Sequence, residues 1–279
     1  MTLPDIKIPE LLRKHQLTLK KGLGQNFLLD PIYLERITAA ADIPKSATIL
    51  EIGPGLGNLT RYLAEAADHV VAVELDKRFI PILEDVTSQW ENITIIHGDI
   101  LELDPTDYLN SKDYLVVANI PYYITSMLLR HLLGNPVKPR RVIITVQLEV
   151  AKRICADPGN LSLLGLSVQV YGNAEVIFRI PAGAFYPSPK VDSATIRIDL
   201  YPQPIIPSEE LDAFFLIARA GFSQKRKKLR NALAGGLKIS VSTVETLLHD
   251  AQIDPHRRAQ TLSLLEWKSL TAKWTNLIA

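Results

Sequence analysis

Four polar side chains in the first half of the chain lie within or at the end of short apolar stretches. They are Glu51 in "ILEIGPG", Glu74 in "VVAVEL", Asp99 in "ITIIHGD" and Asn119 in "YLVVANI". In nucleotide-binding α/β sheets, acidic residues at the carboxyl ends of strands accept hydrogen bonds from ribose hydroxyls and nucleobase amines. Glu74 follows Gly53, the first glycine of a glycine-rich turn, by 21 residues, which is about the separation of a ribose-binding acid in such sheets. The pattern predicts a site for a ligand that contains ribose and adenine.

The glycines after the first strand indicate which nucleoside ligand to expect. Gly53, Gly55 and Gly57 follow the spacing G-x-G-x-G, whereas a dinucleotide-binding turn has G-x-G-x-x-G. Glu51, two residues before Gly53, would repel a diphosphate but would complement a cationic ligand. S-adenosylmethionine contains ribose and adenine without phosphate, and it is therefore the predicted cofactor. Asp76, which follows in "ELDKRF", is interpreted as a helix N-cap or turn residue.

The stretches that must position these residues alternate between strand and helix patterns. Strands are predicted at 48–53, 69–75, 92–98, 114–120 and 140–147. Strands that are almost wholly apolar and separated by helices are typical of a parallel sheet covered on both faces. Residues 174–201 then contain two extended runs around a proline-rich loop, which predicts an antiparallel closing pair.

The rest of the chain differs in pattern from this α/β part. A stretch with three prolines at 201–210 is interpreted as a linker, and only helical patterns follow it. We therefore expect an α/β domain over residues 1–201, with an N-terminal extension, and a small all-helical domain over residues 208–279.

The composition is that of an ordinary globular protein, with 47% hydrophobic and 22% charged residues. The single cysteine, Cys155, rules out an intramolecular disulfide and a cysteine-based zinc site, and the six histidines lack metal-ligand spacing. No apolar run approaches the ~18–20 residues of a membrane span, and residues 1–22 lack the continuous apolar stretch of a secretory signal. We expect no metal, no membrane partner, a cytoplasmic location and a monomer.

Positive charge is concentrated toward the end of the chain. Residues 1–201 carry 20 Lys and Arg against 23 Asp and Glu, whereas residues 202–279 carry 11 against 7. Much of the excess lies in one run without an acid, "RAGFSQKRKKLRNAL". Such a run is either a solvated helix face or a patch that contacts nucleic-acid phosphates.

The sequence around the strand ends resembles the methyltransferases that use S-adenosylmethionine to modify N6 of adenine, through "EIGPGLGNLT", "VELD", "GD" and "NIPYY". Outside that core, "GQNFLLD", "FYPSPKVDSATIRI", "GFSQKRKKLRNAL" and "DPHRRAQTLSLLEW" are similar to the small-subunit ribosomal RNA adenine dimethyltransferases, the kasugamycin-susceptibility family. The resemblance extends from about Leu19 to the C-terminus. It implies a Rossmann-like fold, with a mostly parallel seven-stranded sheet that includes an antiparallel strand, and a small helical C-terminal domain.

The resemblance also implies an activity and a set of binding residues. The family makes two adjacent N6,N6-dimethyladenosines in the 3′-terminal hairpin of 16S rRNA, late in assembly of the 30S subunit. Its cofactor-binding residues correspond here to Asn26, Leu28, Gly53, Glu74, Asp99 and Asn119. With an rRNA substrate, the basic run of this chain is expected to contact phosphates through Lys225, Arg226, Lys227, Lys228 and Arg230, helped by Lys20, Lys21, Arg257 and Arg258.

The predicted catalytic residues are Asn119, Ile120, Pro121, Tyr122 and Phe185. An exocyclic adenine amine is a poor nucleophile because its lone pair is delocalised into the ring. The side-chain oxygen of Asn119 and the carbonyl of Ile120, in a turn that Pro121 stiffens, can accept hydrogen bonds from that amine and position it. Tyr122 offers a face for a flipped base, and Phe185, in the family's F-x-P-x-P-K-V loop, is the expected second wall.

One segment departs from the family pattern at three positions, of which Tyr123 is the most visible. The family commonly has N-L-P-Y-N-I-S where this chain has N-I-P-Y-Y-I-T. Tyr123 therefore stands in place of an asparagine, and its role is left open.

Three other functions remain open. A large-subunit rRNA adenine methyltransferase of the antibiotic-resistance type would share the core, although "FYPSPKVDSA" and "DPHRRAQTLSL" favour the small-subunit group. A non-enzymatic nucleic-acid-binding relative would keep the fold, although the intact set of Glu74, Asp99 and Asn119 argues against it. An NAD-dependent oxidoreductase is disfavoured by the glycine spacing.

Overall fold

The structure is a computed structural model and describes residues 3–20, 22, 24–109 and 111–278. By its internal contacts the chain divides into two compact units. Unit 1 comprises Met1–Ala151 and Ala174–Leu200, and unit 2 comprises Lys152–Asn173 and Tyr201–Ala279. Unit 2 therefore includes a segment, Lys152–Asn173, that lies within the first of the two predicted domains. The domain boundaries derived from the sequence stay a prediction.

The described residues contain the following strands and helices. The strands are β1 (Phe27–Leu28), β2 (Thr48–Ile52), β3 (His69–Glu74), β4 (Ile93–His97), β5 (Tyr114–Asn119), β6 (Arg141–Gln147), β7 (Gly172–Ile180), β8 (Phe185–Tyr186) and β9 (Ser193–Leu200). The helices are α1 (Ile8–Lys14), α2 (Pro31–Ala41), α3 (Asn58–Ala66), α4 (Ile80–Thr87), α5 (Thr125–Gly134), α6 (Leu148–Ile154), α7 (Leu163–Gln169), α8 (Leu211–Phe222), α9 (Leu229–Leu237), α10 (Val241–Asp250) and α11 (Leu264–Ile278).

The central sheet has seven strands in the order β4-β3-β2-β5-β6-β9-β7. β2 pairs in parallel with β3 and β5, β3 with β4, and β5 with β6, whereas β9 is antiparallel to β6. Every residue of β2 is buried, as expected for a parallel strand whose two faces are both covered. The sheet confirms the predicted fold class, and the five predicted parallel strands end within one residue of their observed bounds.

A second, two-stranded sheet was not predicted from the sequence. It consists of β1 and β8, which pair antiparallel with Phe27 opposite Tyr186 and Leu28 opposite Phe185. Two-residue strands give no alternating pattern long enough to be read from the sequence. Helices α1, α2, α6 and α7 were also not predicted.

Helix α2 begins directly after β1 and covers one face of the central sheet. The side chain of Asp30 accepts a hydrogen bond from the Ile32 amide at 2.9 Å, and Pro31 occupies the first turn, which together fix the start of the helix. Leu34 and Ile37 lie with residues of α3, β5 and β6 in one buried cluster. The cap therefore fixes the point at which the chain turns from β1 into α2. The residues just before that point line the candidate active site.

Helices α7, α9 and α11 of unit 2 pack against α8, and α10 packs against α9 and α11. Trp267 of α11 is fully buried and stacks on Phe222 of α8, with ring centroids 5.7 Å apart. Helix α9 comes very close to α8 at Gly236, where an added Cβ would lie 2.6 Å from the Cα of Ala220. In the part of the chain that the structure describes, no helix is long and apolar enough to cross a membrane.

Replacing Gly236 by alanine is expected to destabilise unit 2 because the new methyl group would meet backbone atoms. We expect Gly236→Ala to lower the free energy of unfolding by roughly 1–3 kcal/mol. The matched control is Gly235→Ala, in the same helix, where the nearest side-chain atom would be 3.8 Å away. That variant should be neutral or gain up to about 1 kcal/mol from helix propensity. Urea unfolding of both variants measures this, and equal effects would contradict the close packing of α8 and α9.

Candidate active site

A cavity of about 320 Å³ lies in unit 1 at the carboxyl ends of β2, β3, β4 and β5. Parallel strands end at the same edge of a sheet, which is where open α/β sheets bind their ligands. The cavity brings together every predicted cofactor and catalytic residue except one. These lining residues are Asn26, Leu28, Gly53, Glu74, Asp99, Asn119, Ile120, Pro121 and Tyr122.

Glu74 is held in one orientation by two backbone amides. Its Oε2 accepts a hydrogen bond from the Gly55 amide at 2.9 Å, and its Oε1 accepts one from the Asp76 amide at 2.7 Å. Burial raises the pKa of Glu74, and the backbone hydrogen bonds draw it back down. Each carboxylate oxygen has a second lone pair, so the group can still accept hydrogen bonds from a ligand in the cavity.

Glu51 is the most unusual group in the cavity. Its side chain is 1% exposed, and its Oε2 has no hydrogen-bond partner among the residues that the structure describes. Burial raises the pKa of Glu51 from 4.5 to about 8; the Thr60 side chain offsets part of this shift, and the nearby Glu74 adds to it. Unpaired buried polar atoms are rare in proteins and often mark functional positions. The carboxyl group of Glu51 can therefore hold a proton in the folded protein, and it lines the cavity in which a ligand would bind.

Asp99 lies at the other end of the cavity, after β4. Its Oδ1 accepts a hydrogen bond from the Leu101 amide at 2.9 Å, and its backbone carbonyl accepts one from the Leu103 amide at 3.1 Å. These bonds form a tight turn and are the same bonds that a purely structural aspartate would make. The side chain nevertheless lines the cavity, so the turn fixes the direction of the carboxylate.

The segment from Gly24 to Leu28 forms one wall of the cavity and is fixed on both sides. The side-chain nitrogen of Asn119 donates to the Asn26 carbonyl at 3.2 Å, and the side-chain nitrogen of Asn58 donates to the Leu28 carbonyl at 3.0 Å. At Gly55 an added Cβ would lie 2.7 Å from the ring of Phe27, and the φ of +61° also favours glycine. The glycine turn and this segment are therefore in direct contact.

Three residues fasten the same segment to the turn after β3. The carboxylate of Asp76 accepts hydrogen bonds from Gln25 Nε2 at 3.0 Å and from Arg78 Nε at 2.8 Å, and Arg78 also donates to the Thr18 carbonyl at 3.1 Å. The guanidinium of Arg78 holds the pKa of Asp76 well below its usual range. Asp76 was predicted to be a helix N-cap or turn residue, and neither Gln25 nor Arg78 was predicted to lie at the site. The available signal was an arginine two residues after the aspartate of the turn.

The turn "NIPYY" begins at the end of β5. Because Asn119 uses its amide nitrogen as a donor to Asn26, its Oδ1 is the end that remains to accept hydrogen bonds. Ile120 is 2% exposed, and Tyr122 is half-buried with its pKa raised by burial. Tyr123 is 51% exposed and lines the cavity, and a Cβ at Gly24 would lie 3.4 Å from its ring.

Phe185 is the one predicted catalytic residue that does not line the cavity. It lies in β8, is 4% exposed and packs in the same buried cluster as Leu28, its partner across the ladder. Successive side chains of a strand point to opposite faces, so the next residue, Tyr186, is 37% exposed. The role of Phe185 as a wall for the target base stays a prediction, and in this conformation its ring belongs to the core.

The basic run lies in unit 2, between α8 and α9. Lys225, Arg226, Lys227 and Lys228 are all exposed there. Arg230 differs from them, because it forms an ion pair with Glu245 within the unit.

The additional phosphate contacts also differ from one another. Arg257 pairs with Glu266, whereas Lys20 and Arg258 are exposed. Lys21 lies outside the described residues. Among those that are described, no three His, Cys, Asp or Glu are grouped as metal ligands.

Comparisons with known proteins give consistent matches. A model of the family "Ribosomal RNA adenine dimethylase" matches residues 16–270. A Dehalococcoides mccartyi (strain CBDB1) protein named ribosomal RNA small subunit methyltransferase A is 47% identical, over 95% of this chain and 91% of that protein. A protein of the same name from Alkaliphilus metalliredigens (strain QYMF) is 38% identical, over 95% of each chain.

Two solved structures are also similar. The 23S rRNA methyltransferase ErmE has a TM-score of 0.72 and 27% identity, over 88% of this chain and 98% of that one. A dimethyladenosine transferase from Plasmodium falciparum has a TM-score of 0.76 and 24% identity, over 90% and 98%, which shows a shared fold.

The raised pKa of Glu51 predicts a pH dependence of stability. Between pH 4.5 and about 8 the folded protein keeps the Glu51 proton that the unfolded chain releases, so stability falls as the pH rises through this window. The slope from this group is at most about 1.4 kcal/mol per pH unit. Glu51→Gln should remove this contribution, so its stability relative to wild type should increase from pH 5 to pH 8.

Urea unfolding at several pH values measures this difference. Glu84→Gln, which removes an exposed carboxylate, is the control for the change in charge. A constant difference between Glu51→Gln and wild type across the window would contradict the assignment.

Proposed function

The chain belongs to the ribosomal RNA adenine dimethylase family, and from this premise we propose that it methylates N6 of two adjacent adenosines in the 3′-terminal hairpin of 16S rRNA. It is an rRNA adenine dimethyltransferase by its family. The small-subunit substrate is supported by relatives at 38% to 47% identity that carry a small-subunit name. We propose that it acts on the 30S subunit late in assembly, as a monomer in the cytoplasm.

The observation that carries the site assignment is the convergence of Glu74, Asp99 and Asn119 on one cavity. We assign Glu74 to the ribose hydroxyls and Asp99 to the adenine amine of S-adenosylmethionine, because each is an acceptor fixed at a strand end. The remaining predicted contacts, Asn26, Leu28 and Gly53, line the same cavity. These residues are far apart in the sequence, so their meeting in one cavity supports a shared role in binding the cofactor.

The charge of the cavity suits a cationic cofactor. Glu51 and Glu74 are both buried there, and burial raises the pKa of both. A nearby positive charge favours the ionised form of a carboxyl group. Binding of the sulfonium would therefore be accompanied by partial release of the Glu51 proton.

Positioning of the target amine is the main catalytic contribution of the protein. S-adenosylmethionine supplies a methyl group that its sulfonium already activates. The Asn119 Oδ1 and the Ile120 carbonyl accept hydrogen bonds from the adenine amine and turn its lone pair toward that methyl group. The hydrogen bond from Asn119 to Asn26 keeps the amide from flipping. The proton that N6 loses passes to solvent, so no strong general base is needed.

The face of Tyr122 is assigned to stacking on the flipped adenine. Tyr122 borders the cavity next to Asn119 and Ile120, and stacking on an aromatic ring contributes roughly 1–3 kcal/mol per base. A target adenine must leave its RNA helix to reach such a site. Phe185 could serve as the second wall after a change in side-chain conformation, since its ring is buried here.

The alternative with a specific observation in its favour is methylation of large-subunit rRNA. The structure of a 23S rRNA methyltransferase covers 88% of this chain at 27% identity. The small-subunit relatives are more similar, at 38% to 47% over 95%. Tritium transfer to separate 30S and 50S subunits distinguishes the two, and transfer to 50S alone would overturn the proposal.

Removal of the Asn119 side chain is expected to abolish most of the activity. Asn119→Ala should lower tritium transfer from S-adenosylmethionine to undermethylated 30S subunits by about 10²-fold, the scale seen when one positioned hydrogen-bonding group is removed from an active site. Asn173→Ala, which removes an exposed asparagine amide, is the control. Wild-type transfer by Asn119→Ala would show that the assigned mechanism is wrong.

The basic run is expected to contact rRNA phosphates. Replacing Lys225, Arg226, Lys227 and Lys228 together by alanine should weaken 30S binding and flatten its dependence on salt, by roughly 0.7–0.9 in the log–log slope for each phosphate that is no longer neutralised. Binding measured over a series of salt concentrations tests this. Lys268→Ala with Lys273→Ala, on exposed positions of α11, is the control. An unchanged slope in the fourfold variant would remove the run from the RNA interface.

A further inference from the structure

The hydroxyl of Tyr122 is hydrogen-bonded to a residue far away in the sequence. Tyr122 Oη and Ser193 Oγ lie 2.6 Å apart, and either atom can be the donor. Ser193 is the first residue of β9 and is fully buried. Ser193 was not predicted to be a site residue, although it lies within the "FYPSPKVDSATIRI" stretch.

The backbone holds Ser193 in a rigid position. It lies opposite Gln147 in the β6–β9 ladder, and the Leu148 amide donates to the Asp192 carbonyl at 3.0 Å just beside it. The side chain of Asp192 in turn accepts a hydrogen bond from the Ala182 amide at 3.0 Å. Ser193 therefore provides a fixed point, and Tyr122 Oη is attached to it.

The aromatic ring of Tyr122 is thereby held at both ends. Its Cα end belongs to the turn that follows Pro121, where the Ile124 amide donates to the Pro121 carbonyl at 3.2 Å. Its hydroxyl end is held by Ser193. A tyrosine fixed only at its backbone can swing about its χ1 bond, whereas a hydrogen bond at the hydroxyl fixes the direction of the long axis of the ring and so the place where the ring lies.

We propose that Ser193 is a positioning residue for methyl transfer, which acts by fixing the position and the long axis of the Tyr122 ring beside the target adenine. The inference rests on the proposed function, in which Tyr122 stacks on that base. Ser193 itself is not among the residues that line the cavity. Its loss should therefore slow transfer to RNA while the affinity for S-adenosylmethionine stays the same.

The test is a double-mutant cycle on the single-turnover rate of methylation of 30S subunits. Ser193→Ala and Tyr122→Phe remove the same hydrogen bond from its two sides, and each should lower the rate by roughly 2- to 10-fold, the range expected for one neutral hydrogen bond. The double variant should be no slower than either single variant. The affinity for S-adenosylmethionine, measured by calorimetry, should match wild type throughout.

The matched control is Thr195→Val, two residues along the same strand. Thr195 is equally buried, and its hydroxyl lies 3.4 Å from that of Thr145 rather than against Tyr122. This variant should lose thermal stability to an extent similar to Ser193→Ala and keep the wild-type rate. A slower rate in both variants would assign the effect of Ser193 to a general loosening of the core and overturn the proposal.

Two further outcomes separate this inference from the proposed function. If Tyr122→Ala abolishes transfer while Ser193→Ala and Tyr122→Phe keep the wild-type rate, the stacking role stands and the positioning role of Ser193 is wrong. If Tyr122→Ala itself keeps the wild-type rate, the stacking role in the proposed function fails. Additive losses in the cycle would also overturn the inference. Should Ser193→Ala not fold, Tyr122→Phe alone decides, because it removes the same bond.

Discussion

The parallel pairing of β2 with β3 and β5, and of β3 with β4, is the constraint on which the site depends. Because these strands run in the same direction, the residues that end them come together at one edge, although they are far apart in the sequence. Glu74 and Asp99 reach the cavity in this way from two strands, and Asn119 from a third. The segment before α2 then closes one wall of the cavity through the hydrogen bond between Asn119 and Asn26.

The same arrangement places two carboxyl groups where water is excluded. Glu51 is 1% exposed and Glu74 is 6% exposed, and a buried acid without a cation disfavours the folded state at neutral pH. A cofactor with a positive charge would reduce this cost. The two buried acids therefore lower the stability of the protein without its cofactor, and binding of the cofactor would restore part of that stability. Asp76 shows the opposite case, because its cationic partner, Arg78, belongs to the protein and forms an ion pair with it.

The sequence predicts well what is encoded locally. Almost wholly apolar runs of five to seven residues determine β2 to β6, and the acids and the asparagine that end them were identified from their positions alone. The pairing of β1 with β8 was beyond reach because it depends on contacts between residues more than 150 positions apart. Three other features also depend on which residues the fold brings together, whatever their separation along the chain. They are the burial of Phe185, the ion pair of Arg230 with Glu245 and the hydrogen bond of Tyr122 to Ser193.

Calorimetric titration of the full chain with S-adenosylmethionine tests whether the strand-end cavity holds the adenosine part of that cofactor. We expect one binding site in the wild type and an affinity about 10-fold lower in Asp99→Ala, from the loss of one charge-assisted hydrogen bond. Asp113→Ala, at an exposed position, should bind like the wild type. A wild type that binds no cofactor, or an Asp99→Ala variant with unchanged affinity, would show that the cavity does not hold the adenosine in this way.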